Sequence, residues 1–368
     1  MFELTISKQN LLTPLLTVAG AVDKKQSLTI LANILIKLTK DQLFLTATDL
    51  EIEITASVPC EGSQDGGTIT VPAKKMVDII RSLDDDANPT ISCDGSAVAI
   101  RMGRSQFKLV TLPAEDYPSS EDEPGEVEFF LPRMDLIRLL QSTHFALSQQ
   151  DVRVFLNGLL LELDSQMITA VATDGHRMAI CRVPCQAGNQ HHRLLIPRKG
   201  VQEILRLLNH ISDEKILLSA GKNHFKLVTN QCTFLSKLIE ARFPPYAKAI
   251  PRQQDKQIIL DRDMLRRALS RIMILAHEKS KAVLLHLQPM MLTLIANNQE
   301  QEEAIETLEA QTQGDELKIG INASYLMDVL NYVEPGLLRL SMTNADSSIL
   351  VESLQDEQYQ YIIMPMKL

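Results

Sequence analysis

Three stretches of the chain carry the same apolar stripe at helical spacing. Met76, Ile79, Ile80 and Leu83 fall at i, i+3, i+4 and i+7, one face of an amphipathic helix. Val201, Ile204, Leu205 and Leu208 repeat that stripe 125 residues later, and Leu326, Val329, Leu330 and Val333 repeat it after 125 more. Each stretch has a start signal. Pro72 and Pro197 sit where a missing N–H costs nothing, and Asn322 suits an N-cap. A second amphipathic helix is predicted early in each unit, on Leu11, Leu12 and Leu15, on Leu136, Ile137 and Leu140, and on Leu265, Ala268, Leu269 and Ile272. Between the helices, alternating patterns such as 42–47, 178–183 and 216–219 predict strands.

Other landmarks keep the period. Asp49 in Ala47-Thr48-Asp49 stands 125 residues before Asp174, and Asn298 follows 124 after that. Leu112, Leu238 and Met364 are spaced by 126. One stripe would mean little, but several landmarks sharing one period indicate duplication. The period exceeds the roughly 20–50 residues of a solenoid repeat, so the duplicated unit is a domain. An acidic Pro/Gly linker at 121–126 and a polar one at 250–255 mark the joints. The expected domains are 1–125, 126–252 and 253–368. The fold class is α+β: three duplicated domains, each with two helices on one face and antiparallel sheets on the other.

Composition narrows the class. At 368 residues the chain is long enough for two or three cores. Aromatics are 4% and tryptophan is absent, so Leu, Ile, Val and Met must build those cores. No apolar run approaches the roughly 20 residues of a membrane helix. The opening Met1-Phe2-Glu3-Leu4-Thr5 lacks the pattern of a signal peptide. Five cysteines are few and odd in number, which fits a reducing compartment and an expected cytoplasmic location.

Net charge is −9, which argues against a duplex-DNA binder until its distribution is examined. The six predicted helical segments with their flanks carry a net +10, leaving −19 on the rest of the chain. Lys24, Lys25, Lys74, Lys75, Arg198, Lys199, Arg266 and Arg267 are among these cations. A basic helical layer set against acidic sheets suits a phosphate backbone, and nothing in it resembles a helix that reads base edges. A domain of this size is about 35 Å across. Three in a ring leave a hole of about 5 Å, and six leave about 35 Å. A duplex on the order of 20 Å wide therefore calls for a head-to-tail dimer.

Several residues suggest enzymatic chemistry, and each has a blander role. Asp49, Asp174 and Asn298 could be metal ligands, but a repeated post-strand position that tolerates Asn suits a turn better. His176 could be a catalytic base, or with Asp174 part of a metal nuclease; no nucleophile or second His at fixed spacing accompanies it. Cys181, Cys185, His191 and His192 lack zinc-ligand spacing. No metal and no cofactor is expected. A peptide-binding hub without DNA is the third alternative.

The residues also resemble a known family. The motifs are Leu45-Thr46-Ala47-Thr48-Asp49-Leu50-Glu51, Gln150-Asp151-Val152-Arg153, Leu156-Asn157-Gly158, Val171-Ala172-Thr173-Asp174-Gly175-His176-Arg177, Ile196-Pro197-Arg198-Lys199-Gly200, Glu300-Gln301-Glu302-Glu303 and Met364-Pro365-Met366-Lys367-Leu368. Together, and over essentially the full length, the chain resembles the bacterial sliding clamps, the beta subunits of DNA polymerase III. The resemblance implies a non-catalytic processivity factor, a homodimeric ring that encircles duplex DNA and tethers the polymerase by topology. It implies DNA contacts at Lys25, Gln150, Val154 and Phe155, to which the charge pattern adds Arg198 and Lys199. It implies a peptide pocket built from Leu156, Thr173, Gly175, His176, Arg177, Met178, Pro244, Lys248, Asn322, Tyr325, Ile362, Ile363, Met364, Pro365 and Met366. Its partners would be the polymerase III catalytic subunit, the clamp loader with its delta subunit, and other polymerases and repair proteins carrying clamp-binding motifs. The implied dimer seam sets Phe107 and Leu109 against Ile274 and Leu275, with Lys75 and Arg104 facing Glu300, Glu302, Glu303 and Glu306.

Overall fold

A computed structural model describes residues 2–22, 28–60, 66–120, 125–185, 191–251 and 254–367. Lys25, most of the acidic linker (121–124), Arg252, Gln253 and Leu368 lie outside the described residues. The chain runs three times through one order: strand, helix, four strands, helix, three strands, with one short extra strand, Gln311–Gln313, in the third pass. Among the described residues the α-helices are α1 (Lys8–Val18), α2 (Ala73–Ser82), α3 (Arg133–Gln141), α4 (Arg198–Leu208), α5 (Arg262–Ile272) and α6 (Ala323–Tyr332).

The chain forms two compact units, Met1–Arg133 with Lys199–Leu238, and Met134–Arg198 with Ile239–Leu368. Each unit holds one small and one large antiparallel sheet. In the first unit the small sheet orders Phe2–Thr5, Thr90–Cys93, Ala97–Met102 and Ser105–Val110. Its eight-stranded partner joins four strands of the first repeat to four of the second, where Ile52–Pro59 pairs with Cys232–Lys237. In the second unit a nine-stranded sheet joins the second and third repeats, where Arg177–Pro184 pairs with Tyr359–Ile363. Its small sheet ends on the edge strand Glu303–Glu309.

The apolar stripes lie in the core as their spacing requires. Met76, Ile80, Val201, Ile204, Leu326 and Leu330 are all buried. Leu205 is only half-buried, and Leu207 takes a core place beside Leu208. Asn322 caps α6 as its sequence position predicts, accepting a hydrogen bond from the Ser324 N–H at 2.9 Å. Asp261 caps α5 in the same way through Met264 at 2.9 Å.

The basic layer requires a correction. Lys8 is buried, not lining a surface: its Nζ donates to the Leu83 carbonyl at 2.6 Å and to Asp85 at 2.8 Å. Arg133, at the equivalent place 125 residues later, donates to the Leu208 carbonyl at 2.8 Å. In both repeats a cation at the start of one helix satisfies an orphan carbonyl at the end of its neighbour. Arg206 donates to the carbonyls of Leu16 and Thr17 and pairs with Glu203 at 2.6 Å. These charges hold helix ends together and do not reach solvent freely. Lys74, Lys75, Arg266 and Arg267 remain exposed.

Gly158 opens the strand Gly158–Leu163 beside His192–Pro197. A Cβ there would stand 2.7 Å from Ile239 Cδ1 and 3.0 Å from the Ile196 carbonyl. Gly158→Ala should therefore cost about 1–3 kcal/mol in urea unfolding, as overpacking does. An unchanged midpoint would mean that Ile239 yields freely.

Candidate functional site

The site grows from one turn. The Asp174 carboxylate accepts the N–H groups of His176 at 2.8 Å and Arg177 at 3.0 Å. Asp49 does the same for Glu51 and Ile52, at 3.0 and 2.9 Å, and Asn298 for Glu302 at 2.9 Å. The residue after each Asp has a left-handed backbone, φ 76° at Leu50 and 88° at Gly175. The three repeated polar residues are turn residues, their oxygens engaged by backbone. Glycine in the second copy removes the strain that Leu50 bears in the first.

What distinguishes the second copy is the side chain that follows. Arg177 is 13% exposed, and its Nε meets Asp174 at 3.1 Å. Nη1 pairs with Asp328 of α6, and Nη2 donates to the Phe145 carbonyl at 2.7 Å. The guanidinium lies over the Tyr325 ring, 4.6 Å from its centroid. Arg177 thus ties the turn, the segment before 150 and α6 together. Only its position in the motif was visible in the sequence; Asp328 and Phe145 were not foreseen as its partners.

Around this anchor the expected pocket residues take distinct places. Met178 and Ile362 join Leu160, Val171, Ile180, Leu195, Phe243 and Leu350 in one buried apolar cluster. Leu156 is buried beside the same segment. Pro244, Lys248 and His176 are exposed, and Met364 is 45% exposed. The Thr173 hydroxyl donates to the Arg177 carbonyl at 2.6 Å, so it shapes the turn. The tail is held at two points: Met364 N–H donates to the His176 carbonyl at 2.9 Å, and Met366 N–H to the Gly320 carbonyl at 2.7 Å. Pro365 lies half-buried between them. Ile363 is fully buried and does not belong to that cluster; successive residues of a strand point to opposite faces, and Ile362 takes the cluster side. Phe243, Leu160 and Leu350 were missed because a floor contributed by six separate strands and a loop leaves no local motif.

The DNA candidates differ in exposure and in bonding. Gln150 is exposed with φ 58°, and Val154 is 54% exposed. Phe155 packs edge-on against Phe243 with centroids 6.0 Å apart, supporting the apolar cluster. Arg198 donates to the Leu147 carbonyl at 2.8 Å, and burial lowers its pKa from the ordinary guanidinium value. Lys199 forms an ion pair with Asp49. Neither is the free cation that the charge pattern suggests; both carry structural bonds.

Of the seam candidates, Phe107, Leu109 and Glu303 lie on edge strands, Lys75 on α2, and Ile274 and Leu275 just after α5. Phe107 is half-buried and Leu109 buried, while Val110 and Ile274 are 76% and 77% exposed and Ile305 is 56% exposed. Leu275 is half-buried. Lys75, Arg104, Glu300, Glu302 and Glu303 are all exposed. Glu306 differs from that acidic run: Arg271 of the same chain binds it through both carboxylate oxygens. The hydrogen bond from Arg271 holds the Glu306 carboxyl below its ordinary pKa. A lowered folded-state pKa gives stability present above the ordinary carboxylate range and lost as pH falls through the lowered value. Arg271→Ala should therefore lower the melting temperature at neutral pH, and that difference should vanish as pH falls below the lowered value. A difference that persists there would assign Arg271 a packing role instead.

With this geometry described, comparisons with known proteins give one result. Residues 2–121, 130–245 and 247–367 match the N-terminal, central and C-terminal domains of the DNA polymerase III beta subunit. The chain is 41% identical over 365 residues to the beta sliding clamp of Pseudomonas aeruginosa, covering 99% of each chain. It is 39% identical over 366 residues to that of Haemophilus influenzae, covering 100% of each. The crystal structure of the DNA polymerase III subunit beta from Pseudomonas aeruginosa superposes with a TM-score of 0.96 at 41% identity, over 99% of this chain and 100% of that one. A Caulobacter crescentus beta sliding clamp gives 0.95 at 32% identity, over 100% and 99%. The three repeats are those of the three-domain clamp fold, and the chain belongs to the DNA polymerase III beta subunit family, the sliding clamps, as a non-catalytic processivity factor of DNA replication.

Proposed function

We propose that two copies close head to tail into a ring around duplex DNA, and that each carries a groove for short peptide motifs of its partners. The observation that carries the ring is a seam used twice within the chain. The fourth strand of one repeat pairs with the last strand of the next, first at Ile52–Pro59 with Cys232–Lys237 and again at Arg177–Pro184 with Tyr359–Ile363. In the remaining copy of that pattern, Glu303–Glu309 and Ser105–Val110 are both sheet edges. Phe107 stands where the seams elsewhere bury Phe234 and Tyr361 completely. Such edges invite pairing with another chain. A second copy offers the missing strand at each end, and two three-domain chains give the six domains that a duplex requires.

Carrying over the register of the two internal seams sets Phe107 opposite Ala304 and Lys108 opposite Glu303. Opposite charges there fix alignment more than affinity. Exposed cations such as Lys74, Arg266 and Arg267 would meet phosphates weakly and without sequence preference, which sliding requires. Enclosure, not adhesion, keeps the ring on DNA.

For the peptide groove, the supporting features are the apolar cluster under Met178 and Ile362, the exposed Met364 and Pro244 on its rim, and the polar His176 and Lys248 beside it. Apolar walls with a few orienting polar groups suit linear motifs, and methionine repacks for different ligands. The polymerase III catalytic subunit, the clamp loader's delta subunit and repair polymerases would compete for it. The test of the ring is topological. Protein loaded on nicked circular DNA should stay bound through gel filtration at raised salt and leave when the circle is linearised. Equal loss from circle and line would end the ring proposal.

A further inference from the structure

The first unit contains a cavity of about 320 Å³ between α1, α4 and the seam Ile52–Pro59 with Cys232–Lys237. The corresponding place in the second unit shows what chemistry such a cavity fits. The seam registers match: Cys232 pairs with Ala56 as Tyr359 pairs with Cys181. Ser57 N–H donates to the Gln231 carbonyl as Arg182 N–H donates to that of Gln358. At the second seam Tyr359 is 5% exposed, and burial pushes its phenol up to about 12, with Cys181, Arg138 and Ser142 as its neighbours. Arg138 reaches across and donates to the Gln358 side chain at 2.8 Å. At the first seam the equivalents are Cys232 for Tyr359, Thr13 for Arg138 and Thr17 for Ser142, all lining the cavity. Leu207 likewise replaces Tyr332.

We infer that this cavity is a binding site for a phenolic ring. One repeat fills the position with its own tyrosine; the other leaves a site of the same form lined by smaller side chains. The Thr17 hydroxyl stands where Ser142 meets the phenol, and Ala56, Leu207 and Cys232 supply apolar walls. Its volume lies at the small end of ligand pockets, about 300–1,000 Å³, which suits a single ring. Tyrosine's ring is apolar on its faces and polar at one tip, so it needs this combination of wall and hydroxyl. The source is either a free phenol or a tyrosine side chain of a peptide.

The test uses the full chain and two probes, p-cresol and N-acetyl-tyrosinamide, titrated by calorimetry. Saturable binding at one site per chain is expected, with toluene binding at least tenfold weaker. Thr13→Arg changes an exposed residue and recreates the arm that crosses the equivalent site, so it should weaken p-cresol binding at least tenfold while the protein stays folded. Cys232→Tyr should abolish binding and raise the melting temperature by filling the cavity. Tighter binding of the tyrosinamide than of p-cresol assigns a peptide source, and the reverse assigns a small phenol. Absence of saturable binding by both probes, or binding unaffected by Thr13→Arg, overturns the inference.

Discussion

Arg177→Ala is expected to lower the stability of the second unit by about 2–4 kcal/mol. The guanidinium is 13% exposed and serves two carboxylates, one carbonyl and two rings. Its loss leaves Asp174, 17% exposed, close to an unpaired Asp328, with the Phe145 carbonyl missing a donor. Removing one partner of a buried pair costs about 3–5 kcal/mol. Asp328 is 39% exposed, so water recovers part of that. For a unit of this size the melting temperature should fall by roughly 2–4 °C per kcal/mol. Arg177→Lys keeps the charge but not the fork, so it should recover less than half of the loss. His176→Ala, at an exposed neighbour, should leave the melting temperature unchanged while weakening peptide binding. A shift under 2 °C for Arg177→Ala would show that Tyr325 and Asp328 reorganise at little cost.

The repeat was legible because duplication preserves spacing. Stripes at Met76, Val201 and Leu326 and turns at Asp49, Asp174 and Asn298 keep one period because each performs one local task in every copy. The seams were not legible. Which strands meet at Ile52–Pro59 with Cys232–Lys237 depends on contacts about 180 residues apart, and no local pattern encodes them. The basic layer was half legible. Sequence assigns charge to an element but not to a side of it. Lys8, Arg133 and Arg206 are cations on helices that satisfy carbonyls at neighbouring helices. A lysine at the first helical position followed 75 residues later by a helix end is the signal that could have shown this.

The groove divides in the same way. The turn from Thr173 to Met178 was visible because it departs from its copies at Gly175, His176 and Arg177. The cluster beneath it, with Phe243, Leu160 and Leu350, combines distant strands and a loop and emerges only in the folded chain. Phe155, a DNA contact by the resemblance, also packs its ring on Phe243 and supports the apolar cluster, a contact no local pattern announces.

Ile274→Asp should convert the protein from a species of twice 41.2 kDa to one of 41.2 kDa in sedimentation at micromolar concentration. Ile274 is 77% exposed in the single chain and Ile305 is 56% exposed, beside an unpaired sheet edge. Isolated apolar side chains on a surface need no explanation, but Ile305 lies on an open strand and Ile274 in the turn after α5, the helix packed on that strand. If the second copy covers them, an aspartate must be buried without a partner at each of two seams. An uncompensated charge costs several kcal/mol per ion, so the ring's dissociation constant should rise by at least about a thousandfold. Each chain should still fold, because in the monomer the position faces water. The register can be tested separately. Lys108→Glu and Glu303→Lys should each weaken the dimer by roughly 0.5–1 kcal/mol per seam, and the double variant should regain most of that loss. Such recovery requires the two side chains to meet across the seam, which a slip of one residue would prevent by turning Lys108 to the opposite face. A dimer that survives Ile274→Asp, or a double variant no stronger than the singles, would mean that the third seam is not built like the first two.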